Sequence, residues 1–125
     1  MKYLLPIALL FILSSANICE EYNAHVESVY DGDTVTLDIE VGFDMIINDA
    51  KIRIYGIDAP EMRGEERPKG IIARDALRKL IDGKDVRMVY HGKGKYFRYI
   101  AEIYIDTVNI SHWMVRNGYA EYKDY

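Results

Sequence analysis

The segment Thr34-Val-Thr-Leu-Asp-Ile-Glu-Val41 alternates without a break. Val35, Leu37, Ile39 and Val41 fall on one face, and Thr34, Thr36, Asp38 and Glu40 on the other. That is the two-residue period of a strand with one side in a core and one in water. Shorter strand signals surround it. His25 to Tyr30 precedes it across the turn chemistry of Asp31-Gly32-Asp33. Gly42 to Ala50 reads as a hairpin connection with a short Met45–Ile47 strand, and Lys51 to Tyr55 alternates again. Asp58 to Gly70, with Pro60, Gly64, Pro68 and many charges, reads as an exposed loop. Ile71 to Ile81 has helical spacing, with Ile72, Ala76, Leu77 and Leu80 on one face and Gly83 as a stop. Asp85 to His91 and Phe97 to Ile105 are strands around a Gly92-Lys93-Gly94 turn. Asn109 or Ser111 caps a short helix ending near Asn117, before Gly118.

Five strand signals with two short helices describe a mainly β, α+β chain. A five-stranded closed barrel of the OB type, with a helix after the third strand, buries the alternating faces and leaves few free edges. The chain has 125 residues, which is one domain's length, and half of them are hydrophobic. Its single cysteine, Cys19, excludes an internal disulfide framework and a cysteine-rich zinc site. No internal repeat or low-complexity segment occurs.

The N-terminus has the form of an export signal. Lys2 is followed by an apolar run from Tyr3 to Leu13, and Ser14-Ser15-Ala16 offers small residues for cleavage. The expected organisation is a signal peptide at 1–16, a short segment at 17–24 and one domain at 25–125. The expected product is secreted or held in the cell envelope, monomeric and without stable membrane association. An uncleaved anchor or a lipoprotein at Cys19 is the competing reading.

Charge is uneven along the chain. Residues 17–50 hold nine acids and no Lys or Arg, for −9. Residues 51–98 hold thirteen bases and seven acids, for +6. Residues 99–125 hold two bases and four acids, for −2. The overall balance excludes a globally basic nucleic-acid coat, whereas a middle segment of +6 suits a local phosphate-binding face.

Two acidic motifs stand at strand ends. Asp31-Gly32-Asp33 and Asp58-Ala59-Pro60-Glu61 offer hard oxygen ligands with no His or Cys nearby, which favours calcium or magnesium over zinc. Taken alone, Asp31-Gly32-Asp33 reads better as an ordinary turn, and Asp58-Ala59-Pro60-Glu61 reads equally well as a strand terminator. Arg53, five residues before Asp58, is open to two readings: a structural salt bridge or a fork for phosphate.

Four segments occur in order: Val29-Tyr-Asp-Gly-Asp-Thr-Val35, Ile52-Arg-Ile-Tyr-Gly-Ile-Asp-Ala-Pro-Glu61, Lys95-Tyr-Phe-Arg-Tyr-Ile-Ala101 and Val115-Arg-Asn-Gly-Tyr-Ala120. Together they resemble the thermonuclease, or staphylococcal-nuclease-like, family over about Val26 to Tyr122. The resemblance implies an OB barrel and a calcium-dependent nuclease that hydrolyses phosphodiester bonds of DNA and RNA, leaving 3′-phosphates. By that likeness Asp33, Asp58 and the Ala59 carbonyl would hold Ca2+, with Asp31 beside them. Glu61 would act as general base, Arg53 and Arg98 would grip the scissile phosphate, and Tyr96 would contact nucleotide.

The sequence departs from the family pattern at Phe97, where the family has glycine, and the family's long C-terminal helix has no counterpart before Tyr125. The bulk of Phe97 is expected to crowd Arg98 or to offer a stacking surface. A non-catalytic OB module that binds single strands or a protein is the alternative function. His25, His91 and His112 read as surface or packing residues, and Trp113 as core.

Overall fold

The computed structural model describes residues 20–124. The expected signal peptide, Cys19 and Tyr125 lie outside the described residues. The chain forms strands β1 (Glu21–Val29), β2 (Thr34–Gly42), β3 (Met45–Ile54) and β4 (Ile57–Asp58). A single 3-10 turn at Gly64–Glu66 leads into helix α1 (Arg67–Ile81). Then follow β5 (Asp85–Lys93), β6 (Tyr99–Ile105), β7 (Val108–Asn109), α2 (Ile110–Arg116) and β8 (Glu121–Tyr122). No helix among the described residues is long and apolar enough to cross a membrane.

Antiparallel neighbours run β3-β2-β1-β5-β6, and a parallel β3–β6 pairing over Ile52–Ile54 and Tyr99–Ala101 closes the ring. The result is the five-stranded OB-type barrel of a mainly β, α+β chain. Its interior is the alternating face read from sequence: Val35, Leu37 and Ile39 are buried, joined by Val26, Ile52, Ile54, Ala101 and Ile103. Val41 is only partly buried, because β2 runs out past the core toward its hairpin.

Several elements differ from their sequence signals. The first strand begins at Glu21, pairing Glu21–His25 with Asp85–Val89, so residues 21–24 already belong to the barrel. The Gly42–Ala50 connection is a two-residue turn at Phe43–Asp44, and β3 runs unbroken from Met45. Asn48-Asp49 looks like turn chemistry, yet it is absorbed as a bulge. Asp49 sits at φ 54° and its N–H donates to Asp38 Oδ1 at 2.8 Å.

Helix α1 starts at Arg67, four residues before the expected position. Pro68 stands in its first turn, where a missing N–H removes no helical hydrogen bond. Its buried face is Gly70, Ala73, Leu77 and Ile81, while Ile72 is exposed. The β5–β6 turn lies at Lys95–Arg98, starting three residues later than Gly92-Lys93-Gly94 suggests. The Arg98 N–H donates to the Lys95 carbonyl at 3.3 Å, and Gly94 N–H to the Arg98 carbonyl at 2.8 Å. Phe97 is therefore a turn residue and not the start of a strand.

Asn109 is the α2 cap, its Oδ1 accepting the His112 N–H at 3.2 Å. Ser111 instead donates to the Tyr55 carbonyl at 2.7 Å, tying α2 to the end of β3. Trp113 is half-buried against the core, stacked on Tyr119. His25 pairs with Asp85, and His91 stacks on Tyr55, at 3.9 Å between centroids, while contacting Glu102.

Candidate active site

The turn from β1 to β2 and the exit from β3 meet at one end of the barrel. Gly32 makes the meeting possible. A side chain there would approach the Ala59 Cβ to 2.7 Å and the Ala73 Cβ to 3.0 Å, so the Asp31-Gly32-Asp33 turn presses against both β4's exit and α1. Asp31 and Asp33 are consequently buried, although both are carboxylates.

Asp33 is the hub. Its Oδ2 accepts the Ala59 N–H at 2.7 Å, and Thr34 Oγ1 donates to its Oδ1 at 3.2 Å. Asp31 Oδ1 accepts the Asp33 N–H at 3.0 Å. Arg53 Nη1 lies 2.8 Å from Asp33 Oδ2, and its Nη2 lies 3.2 Å from Asp58 Oδ1. One guanidinium thus spans both acidic motifs. The Arg53 and Asp33 side chains are 12% and 8% exposed, against 54% for Asp58, so the pair with Asp58 faces solvent. Burial first, and the Asp31 charge second, push the Asp33 carboxyl up to about 7, against the Ala59 N–H and Arg53, which favour its ionised form.

Glu61 is positioned by the start of α1. Its N–H donates to Glu66 Oε2 at 3.0 Å, and Gly70 lets the helix lie against its backbone. A Cβ at Gly70 would sit 2.3 Å from the Glu61 carbonyl oxygen. Arg98 comes from the β5–β6 turn. Its Nε donates to the Lys95 carbonyl at 3.3 Å, and its guanidinium carbon lies 5.5 Å from the Tyr96 ring centroid.

These groups share one open cleft of about 560 Å³. It is lined by Asp31, Asp33, Arg53, Asp58, Glu61, Tyr96 and Arg98, which were singled out from sequence, and by Tyr30, Thr34, Lys51, Arg63 and Lys123, which were not. Ala59 is buried beside it, holding Asp33. Lys123 arrives because β8 pairs with β4, and its N–H donates to the Gly56 carbonyl at 2.8 Å. The lining carries five Lys or Arg and four Asp or Glu. The three added cations come from three separate elements, so no local spacing announces them.

Among the described residues, no three His, Cys, Asp or Glu side chains converge as a metal cage. The donor set nonetheless suits a hard, water-rich cation. Asp31 and Asp33 are buried side by side, and the one guanidinium that pairs with Asp33 is shared with Asp58. Asp58 lines the same cleft, and the Ala59 carbonyl is the further oxygen donor that the resemblance implies.

Fold and cleft define an OB-type barrel with an acid- and arginine-lined site at one end. Residues 51–125 match the family described as staphylococcal nuclease homologue. An uncharacterized endonuclease of Escherichia coli O157:H7 is 31% identical over 122 residues, covering 96% of this chain and 72% of that protein. One from Haemophilus influenzae is 34% identical over 123 residues, covering 98% and 65%. The probable staphylococcal-like nuclease CAN3 of Oryza sativa subsp. japonica is 40% identical over 76 residues, covering 60% of this chain. This chain spans only about a fifth of that protein, 19% of its length. The chain belongs to the staphylococcal nuclease homologue family.

Proposed function

We propose that the protein is a calcium-dependent nuclease that hydrolyses phosphodiester bonds of DNA and RNA to 3′-phosphate products. The observation that carries this reading is the single cleft uniting Asp33, Arg53, Asp58, Glu61 and Arg98. The relatives named as nucleases and endonucleases support it.

A phosphodiester resists hydrolysis because its anionic oxygens repel a nucleophile, and more negative charge builds as the nucleophile arrives. Arg98 donates to a phosphate oxygen from the turn side. Arg53 donates from the barrel side by turning Nη2 from the solvent-facing Asp58 to the phosphate, while its Nη1 stays on Asp33. Glu61 takes a proton from the attacking water as that oxygen bonds to phosphorus. The bond from phosphorus to the 5′ oxygen breaks, and that oxygen takes a proton from solvent in the open cleft. Asp33, Asp58 and the Ala59 carbonyl would hold calcium, which when bound would supply positive charge to neutralise the phosphate. With so few protein ligands, its affinity falls in the weak range of roughly 10⁻⁴–10⁻³ M known for extracellular modules.

That affinity suits a secreted or envelope-held monomer, the location proposed from the N-terminal sequence. Glu61→Gln tests the assignment, because it keeps size and hydrogen bonding but removes the base. Cleavage should fall by about 10²–10⁴-fold while binding of a 3′,5′-bisphosphate nucleotide is retained. Unchanged cleavage would remove Glu61 from the chemistry. Binding of nucleic acid with no cleavage by the wild-type protein would leave a non-catalytic OB module.

A further inference from the structure

Two tight turns of this barrel are built alike. Phe43 and Asp44 have φ of 51° and 58°, and Tyr96 and Phe97 have φ of 58° and 59°. Each turn displays a phenylalanine to solvent, 96% exposed at position 43 and 101% at position 97. A bulky side chain in the left-handed region is strained, and an exposed ring gains nothing from burial.

The two rings differ in their surroundings. Phe43 closes the β2–β3 hairpin, a strand length of about 27 Å from Thr34 and the cleft. Phe97 stands between Tyr96 and Arg98, both of which line the cleft. Tyr96 already has the Arg98 guanidinium over its ring. The Phe97 ring has both faces open at the rim, beside the arginine assigned to phosphate.

We propose that Phe97 is a base-stacking residue, taking the face of an unpaired nucleobase next to the phosphate gripped by Arg98, and so favours single-stranded over duplex nucleic acid. The proposal rests on the nuclease reading of the cleft and adds a specificity determinant to it. Every base has a π-face, so the subsite tolerates sequence. In a duplex those faces are occupied by neighbouring bases, and flipping one out costs free energy. The strain at position 97 is then offset when substrate arrives rather than by packing within the chain.

The test compares steady-state cleavage of a short single strand and a blunt duplex by wild type, Phe97→Ala, Phe97→Trp and Phe43→Ala. For Phe97→Ala, KM on the single strand should rise roughly 10-fold with kcat unchanged, and duplex cleavage should hardly move. Phe97→Trp should retain wild-type KM, and Phe43→Ala should change neither constant. An abasic scan of the single strand should find one position at which wild type loses affinity and Phe97→Ala does not. The scan on wild type also tests the subsite without any variant that has to fold. Equal KM for Phe97→Ala and wild type, or an equal loss on duplex and abasic strands, would overturn the subsite and leave the nuclease reading intact. Absence of cleavage by the wild-type protein would overturn both.

Discussion

Arg53 and Arg98 bring the same guanidinium to one cleft from opposite kinds of structure. Arg53 projects from β3 inside a barrel wall, 12% exposed and spanning Asp33 and Asp58. Arg98 leaves a turn whose two central residues are exposed and left-handed, and it leans on Tyr96. The first is held by paired backbone: the Ile54 N–H donates to the Asp33 carbonyl at 2.8 Å, and β6 flanks the same residues. The second is held only within its own turn, by two hydrogen bonds to the Lys95 carbonyl and one from the Gly94 N–H, and by one ring. A charge locked in a wall needs little reorganisation when a phosphate arrives, since Nη1 stays on Asp33 and only Nη2 exchanges Asp58 for the phosphate, and that is the condition for electrostatic catalysis. A charge on a turn can follow the substrate and sits where bases can be read.

The sharpest way to break this contrast is to remove each arginine. Arg98→Ala should lower kcat by about 10²–10³-fold, by analogy with loss of one oxyanion donor, and leave thermal stability unchanged. Arg53→Ala should lose at least as much rate and also destabilise the fold by about 3 kcal/mol, because it strands Asp33, buried beside Asp31, without its cation. Matching melting curves for the two variants would show that the wall and the turn are not different in kind.

Gly70→Ala probes the wall at Glu61. The added methyl meets the Glu61 carbonyl oxygen at 2.3 Å, so backbone has to move. Overpacking of this sort costs about 1–3 kcal/mol, and turnover should fall with KM nearly unchanged. Turnover equal to wild type would free Glu61 from its dependence on α1.

The smallest effect belongs to Lys51, one of the cations that line the cleft on β3. Lys51→Ala should weaken single-strand binding and reduce the slope of log K against log salt by about 0.7. An unaltered slope would place Lys51 off the phosphate track.

The same division governs what was legible in the sequence. Residues facing a core repeat with a period, so the β2 face and the barrel followed from Val35, Leu37 and Ile39. The acidic motifs and both arginines were legible through their resemblance to a family, since Arg53 alone read equally well as a salt bridge or a phosphate fork. It makes the salt bridges here, and the phosphate role is the proposal. Hidden features were those set by tertiary contact. Asn48-Asp49 is turn chemistry overridden by pairing with β2. Lys123 reaches the cleft only because the two-residue β8 finds β4, and a strand so short has no pattern. The turn at 95–98 is hidden in the sequence because it contains no glycine, though glycine is what a left-handed turn ordinarily signals.

If this cleft cleaves phosphodiesters with the help of a bound cation, removing the cation must stop the reaction. The direct measurement is cleavage of plasmid and single-stranded DNA by the wild-type protein with calcium, and again with excess chelator. Nicked and shortened products should form with calcium and none with chelator, and cleavage should recover when calcium is restored. Undiminished cleavage in chelator would remove the cation from the reaction.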